Sequence, residues 1–110
     1  MIYELRIYTC YPGSVQRVLE LWQTRGQAMI EPYMKMVGQW IGESGTANQI
    51  YTLWEFESFD HRQQARASLL QHPGFAEYLA ECRSHYQQQD VVFLSPTALS
   101  PIGGLGAGES

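Results

Sequence analysis

At 110 residues the chain has the length of one ordinary domain, and its 45% apolar, 16% charged composition is that of a globular chain with a single core. Seven Lys and Arg stand against eleven Asp and Glu, for a net charge of -4 with no basic cluster, which argues against binding nucleic-acid phosphate. No apolar run approaches the ~20 residues a membrane span needs, and the N-terminus opens on a strand-like pattern with no leader, so a cytoplasmic protein without a membrane span is expected.

In chain order, Ile2 to Thr9 alternates, with Tyr3, Leu5 and Ile7 on one face and Glu4, Arg6 and Tyr8 on the other, which predicts a first strand. The Tyr11-Pro12-Gly13-Ser14 break precedes Val15, Val18, Leu19 and Trp22, a helical spacing that predicts a helix from Ser14 to about Gln27, decaying at Gly26. Met36 to Glu43 reads as a second strand whose two glycines, Gly38 and Gly42, signal a bulge or the close approach of a backbone or ligand. A turn over Gly45 to Asn48 makes it a hairpin with a third strand, Gln49 to Glu57. Ser58 is a good N-cap for a helix over Phe59 to Leu70, with Arg62, Ala65, Arg66 and Leu69 on one stripe. Pro73 suits the first position of a further helix capped near His72, with Phe75, Tyr78, Leu79 and Cys82 as its apolar face. Asp90 to Ser95 predicts the last strand, after which residues 97–110 read as a Gly/Ser/Pro-rich tail to a domain over 1–96.

The order β-α-β-β-α-(α)-β predicts an α+β, ferredoxin-like domain with a four-stranded antiparallel sheet. Helices in that topology cover one face only. Strands one and three carry bulky side chains on both faces, so either Trp54 and Phe56 or Tyr51 and Leu53 face outward, and Tyr8 is expected with them. Such a patch marks an association surface. A homodimer through the sheet faces, open to higher oligomers, would bury it. Cys10 and Cys82 lie in no CxxC or Cys/His cluster and read as two free, buried thiols of a reducing compartment.

The opening MIYELRIYT with the following PGS, the GQW of strand two, NQIYTLWEFESFDHR, and HPGFAEYL together resemble the NIPSNAP family, over nearly the whole chain to about Pro96. The resemblance implies a ferredoxin-like protomer whose sheet joins that of a second protomer in a dimeric α/β barrel, with a small pocket between sheet and helices. It also implies a wider superfamily of cofactor-free monooxygenases, lactone isomerases and haem-binding enzymes, so fold alone does not choose a chemistry.

Several residue groups are candidates for that pocket. Arg6, with Tyr8, is expected to pair with Glu4 or Glu55 across the sheet, either as a salt-linked lining that sets dimer register or as a clamp for an anion or carbonyl. Trp40 and Trp54, on adjacent strands with Tyr51 or Phe56, form either plain core or a flat aromatic pocket for an aromatic or ketone ligand. His61, at the strand-to-helix corner, is either a solvated helix-start residue or a general base. Arg62 and Arg66, one turn apart, repel unless Asp60 or Glu57 answers them, or a carboxylate or phosphate ligand does. No His or Cys spacing forms a metal box, Gly103 to Gly106 is no phosphate loop because no helix follows it, and no cofactor is expected.

Two functions are thereby expected to compete. One is a homodimer that binds a small aromatic or carbonyl compound, with cofactor-free acid/base chemistry by Arg6, Tyr8, Glu55 and His61. Trp40, Tyr51, Trp54, Arg62 and Arg66 would then hold the ligand. The other is a non-catalytic interaction module in which the same aromatics only pack.

Overall fold

Strand β1 (Ile2–Cys10) is the centre of the sheet, paired along one edge with β3 (Gln49–Phe56) and along the other with β4 (Tyr86–Leu94). The hairpin partner β2 (Lys35–Ile41) completes the order β2-β3-β1-β4, with every neighbouring pair antiparallel. The computed structural model describes residues 1–103, and its element order and sheet are those of the ferredoxin-like topology expected from the sequence. All helices lie on one face. No helix among the described residues is long and apolar enough to cross a membrane.

The register decides which side chains meet the helices. Glu4 is opposite Trp54, Arg6 opposite Thr52 and Tyr8 opposite Ile50, and this set, with Phe56 and Cys10, faces inward. Tyr3, Leu5 and Ile7 share the outer face with Glu55, Leu53 and Tyr51. Tyr8 therefore belongs with Trp54 in the interior, and the open face carries Tyr51 and Leu53. Strand one thus turns Glu4, Arg6 and Tyr8 to the helices and leaves Leu5 and Ile7 half-buried on the other face, where Tyr3 is buried near Ile102, the reverse of the usual alternation for a half-buried strand.

Several boundaries differ from the expectation, each for a local reason. The first helix does not decay at Gly26. Helix α1 (Val15–Leu21) continues through a π-helical turn (Trp22–Gly26) into α2 (Gln27–Ile30). Gly26 marks a contact: a Cβ there would run into the Tyr78 hydroxyl, so the missing side chain makes room for that ring. Helix α3 (Phe59–Leu70) starts as expected, with Ser58 Oγ accepting from the His61 N–H at 3.0 Å. Helix α4 (Phe75–Arg83) begins after Gly74, whose φ of 85° ends the preceding turn, so Pro73 stands outside the helix. The bulge in β2 falls between Met36 and Gly38 as its glycine suggested, and the group close to Gly38 is the Trp40 ring.

Strand β4 begins at Tyr86, four residues before the expected Asp90. Its Gln87-Gln88-Gln89 run shows no apolar alternation, but it pairs with β1 on one side and lies at the sheet's edge on the other. Past it, Ile102 packs near Tyr3, Leu53 and Leu94 on the outer face, around a hollow of about 90 Å³. The glycine-rich stretch after Gly103 lies outside the described residues. The core gathers Val18, Leu21, Ile50, Phe56, Leu69, Phe75 and Tyr78 between sheet and helices, with Cys10 and Cys82 both free and buried within it.

Candidate functional site

Between the inner sheet face and the helices opens a cleft of about 150 Å³. Strands β1, β3 and β4 supply its floor as Arg6, Tyr8, Trp54, Tyr86 and Gln89. Trp22 from the π turn, Arg66 and Leu69 from α3, and Phe75, Tyr78, Cys82 and Arg83 along α4 supply the other walls. A π turn inserted in an α-helix is frequent at functional sites; here it carries Trp22 to within 5.8 Å of Trp54, ring centre to ring centre. Tyr8 stacks on Tyr86 at 4.5 Å. Most of the lining is aromatic or aliphatic.

Beneath this surface sits a charged network that begins with a fully buried carboxylate, Glu4. An ionised group so placed is costly unless paired and hydrogen-bonded. Arg6 Nη1 donates to Glu4 Oε2 at 2.6 Å, while Arg62 Nε donates to Oε1 at 2.8 Å and its Nη2 to Oε2 at 3.2 Å, so both oxygens are engaged. Burial alone would raise the Glu4 carboxyl, but the hydrogen bonds from Arg62 and Arg6 outweigh it and hold the group below its ordinary range. Arg6 Nε in turn donates to Tyr8 Oη at 2.8 Å.

Arg66 stands one turn beyond Arg62 on the same helical face, and no side-chain hydrogen bond or ion pair reaches it among the described residues. Burial first, then the neighbouring Arg6 and Arg62, lower its affinity for its proton. Burial also pushes Tyr8, Tyr78, Tyr86 and the Cys82 thiol upward. At neutral pH these groups keep their protons, and the carboxylate behind the floor, Glu4, has both oxygens occupied. The cleft is therefore rich in donors and cations, with no side chain placed to take a proton from a ligand. Trp54 Nε1 is buried there without a hydrogen-bond partner, an uncommon state for a polar atom in a folded interior, while Trp22 Nε1 and Tyr78 Oη make only weak contacts, with Tyr86 and the Cys82 thiol.

Of the residues singled out from sequence, the cleft brings together Arg6, Tyr8, Trp54 and Arg66, with Arg62 directly behind them. The expected pairing of Arg6 with Glu55 does not form. Glu55 projects from the outer face, where it accepts from Tyr3 Oη at 2.8 Å and Lys35 Nζ at 3.1 Å. Trp40 and Tyr51 are opposite each other on that same outer face, so Trp40 shares no wall with Trp54. His61 is exposed outside the cleft, its Nδ1 accepting from the Glu57 N–H at 3.1 Å. Arg62 is answered by Glu4, fifty-eight positions away, and neither Asp60 nor Glu57 is its partner.

Sequence reasoning missed Trp22, Tyr78, Arg83, Tyr86 and Gln89 as lining. One signal was available: Tyr78 is a hydroxyl on an otherwise apolar helical stripe. Gln89 carries none, since its strand lacks any pattern. Among the described residues no cluster of three or more His, Cys, Asp or Glu is placed to hold a metal.

A family model described as NIPSNAP matches residues 3–101. The mouse protein named NipSnap homolog 3B is 29% identical over 102 residues, covering 92% of this chain but only 41% of the mouse protein. The chain thus spans less than half the length of that curated relative. The crystal structure of a NIPSNAP domain protein from Burkholderia xenovorans superposes with a TM-score of 0.88 at 30% identity, covering 92% of this chain and 99% of that one. SnoaB, a cofactor-independent oxygenase from Streptomyces nogalater, shares the fold at a TM-score of 0.66 and 15% identity, covering 91% and 96% of the two chains.

Proposed function

The chain belongs to the NIPSNAP family, and on that premise we propose that its inner cleft binds a small aromatic, carbonyl-bearing molecule. The observation that carries this reading is the buried, unpartnered donor Trp54 Nε1, with Trp22 Nε1 and Tyr78 Oη only weakly engaged by Tyr86 and the Cys82 thiol, around an aromatic-walled space of about 150 Å³. An apolar cavity of roughly that volume accommodates one benzene ring, and a carbonyl oxygen on the ring would give Trp54 Nε1 its missing acceptor. The same donors would polarise a bound carbonyl. With Glu4 doubly paired and the tyrosines protonated, binding and carbonyl polarisation are better supported than proton abstraction. A thermal-shift panel of aromatic ketones, aldehydes and quinones tests it. A binder at about 100 times its dissociation constant adds about 2.7 kcal/mol, a rise of roughly 10 °C for a domain this size. No shift with any ring carbonyl would refute the reading.

A second reading concerns assembly and rests on the other face. Trp40, Val92 and Leu94 are 53%, 43% and 43% exposed there, beside the half-buried Leu5, Ile7, Tyr51 and Leu53. A patch of this kind fits a homodimer formed sheet to sheet, closing an α/β barrel. Light scattering would then return twice the 12.6 kDa chain mass. The two free, buried thiols fit a reducing compartment such as the cytoplasm.

A further inference from the structure

We infer that the ligand of the inner cleft is an acid, a ring compound bearing one short carboxylate arm, and that Arg66 is the residue that selects for it. This rests on the reading that the cleft binds a small ring compound, and it adds the charge of that compound and the residue that reads it.

The argument starts from charge. Of seven Lys and Arg in a chain of net charge -4, three (Arg6, Arg66 and Arg83) line this one cleft, and Arg62 stands behind them. A single carboxylate, Glu4, answers the group, and it is fully committed to Arg6 and Arg62. The Glu4 network therefore satisfies two cations and leaves Arg66 over. A partly buried guanidinium with five donors, no acceptor and two like charges beside it is an unfavourable arrangement in the empty protein. A carboxylate on the ligand would supply the acceptors and offset the repulsion at once, in the planar bidentate geometry that suits arginine. A neutral carbonyl would supply an acceptor but would leave the repulsion in place.

The rest of the lining fixes the remainder of the ligand. Trp22, Trp54, Phe75 and Leu69 provide apolar walls at a volume suited to one ring, too small for a nucleotide or a sugar phosphate. The unpartnered Trp54 Nε1 lies in the floor and Tyr78 Oη in the wall. A ring acid with a further oxo or hydroxy oxygen would therefore use the whole site. Arg83 and Gln89 are exposed and add positive and polar surface for the approach of an anion.

The test is calorimetry on the whole chain with matched pairs: benzoate against benzamide, phenylacetate against phenylacetamide, 3-phenylpropionate against its amide. The acids are expected to bind about tenfold or more tightly than their amides. In Arg66→Met the preference for acids over amides should disappear, while Arg66→Lys should restore part of it. The ligand-free Arg66→Met protein should melt no lower than wild type, an outcome that a structural role for Arg66 would not give. Arg66→Gln serves the same comparison should Met pack poorly. Equal binding of acids and amides by wild type, or an acid preference that survives in Arg66→Met and Arg66→Gln, would overturn the inference and leave the ring-binding reading standing. If neither acids nor amides bind, both fall together.

Discussion

On the face of β1 covered by helices the side chains are Glu4, Arg6 and Tyr8, whereas the opposite face carries the half-buried Leu5 and Ile7, with Tyr3 buried near Ile102. A lone domain minimising its free energy would place these sets the other way round, since burying charge is costly and burying Leu and Ile is favourable. The difference teaches that core formation within the single chain does not by itself account for either face of this strand. The inner face gains a fixed cationic wall beside an aromatic space, and the outer face keeps the apolar surface on which the proposed dimer rests.

The contrast breaks most severely at Glu4. Glu4→Ala would leave Arg6 and Arg62 buried without their shared carboxylate, a loss of about 3–5 kcal/mol by denaturant titration, which is much of the stability of an ordinary domain. Acid reaches the same network reversibly. Because the Glu4 carboxyl is held below its ordinary value of 4.5 when folded, its contribution is present above that value and is lost as pH falls through the folded one. Glu4→Gln should flatten that part of the stability curve, and an unchanged acid limb would show that the Arg6-Glu4-Arg62 network contributes little.

The outer face answers to a different change. Leu53→Glu places a charge opposite Leu5 at the centre of the apolar patch. It should weaken self-association by about 100-fold, equivalent to about 2.7 kcal/mol, while cleft binding persists. A variant that loses ligand and partner together would tie the two faces into one site. The smallest effect belongs to the corner between them. Ser58→Ala removes the cap that receives the His61 N–H, costing about 1 kcal/mol. If it also abolished ligand binding, the α3 start would belong to the site.

How much of this was legible beforehand follows from the range of the interactions. The helix over Phe59 to Leu70 was readable to the residue, because its cap and its stripe are local signals. The topology was readable from alternation and turns, and Arg6, Tyr8, Trp54 and Arg66 were already suspects. Which face of each strand would be inside was not readable, since alternation marks two sets without saying which is buried, and the polar set of β1 went inward. Asp60 and Glu57 are the partners of Arg62 that a sequence makes visible, because they are its neighbours along the chain, whereas Glu4 is fifty-eight positions away. Neighbouring strands suggest that Trp40 and Trp54 share a face. The β2 bulge between Met36 and Gly38 and the pairing of Trp40 with Tyr51 set them on opposite faces.

That separation permits a direct test, for the chain's three tryptophans divide as Trp22 and Trp54 in the cleft and Trp40 on the open face. In Trp40→Phe, tryptophan emission comes only from the cleft. Titrating this variant with an aromatic ketone and with 3-phenylpropionate should give a saturable change in emission with at least one of them. Emission that stays flat in Trp40→Phe, while the wild-type signal responds, would place the ligand on the outer face and contradict the assignment of the inner cleft as the binding site.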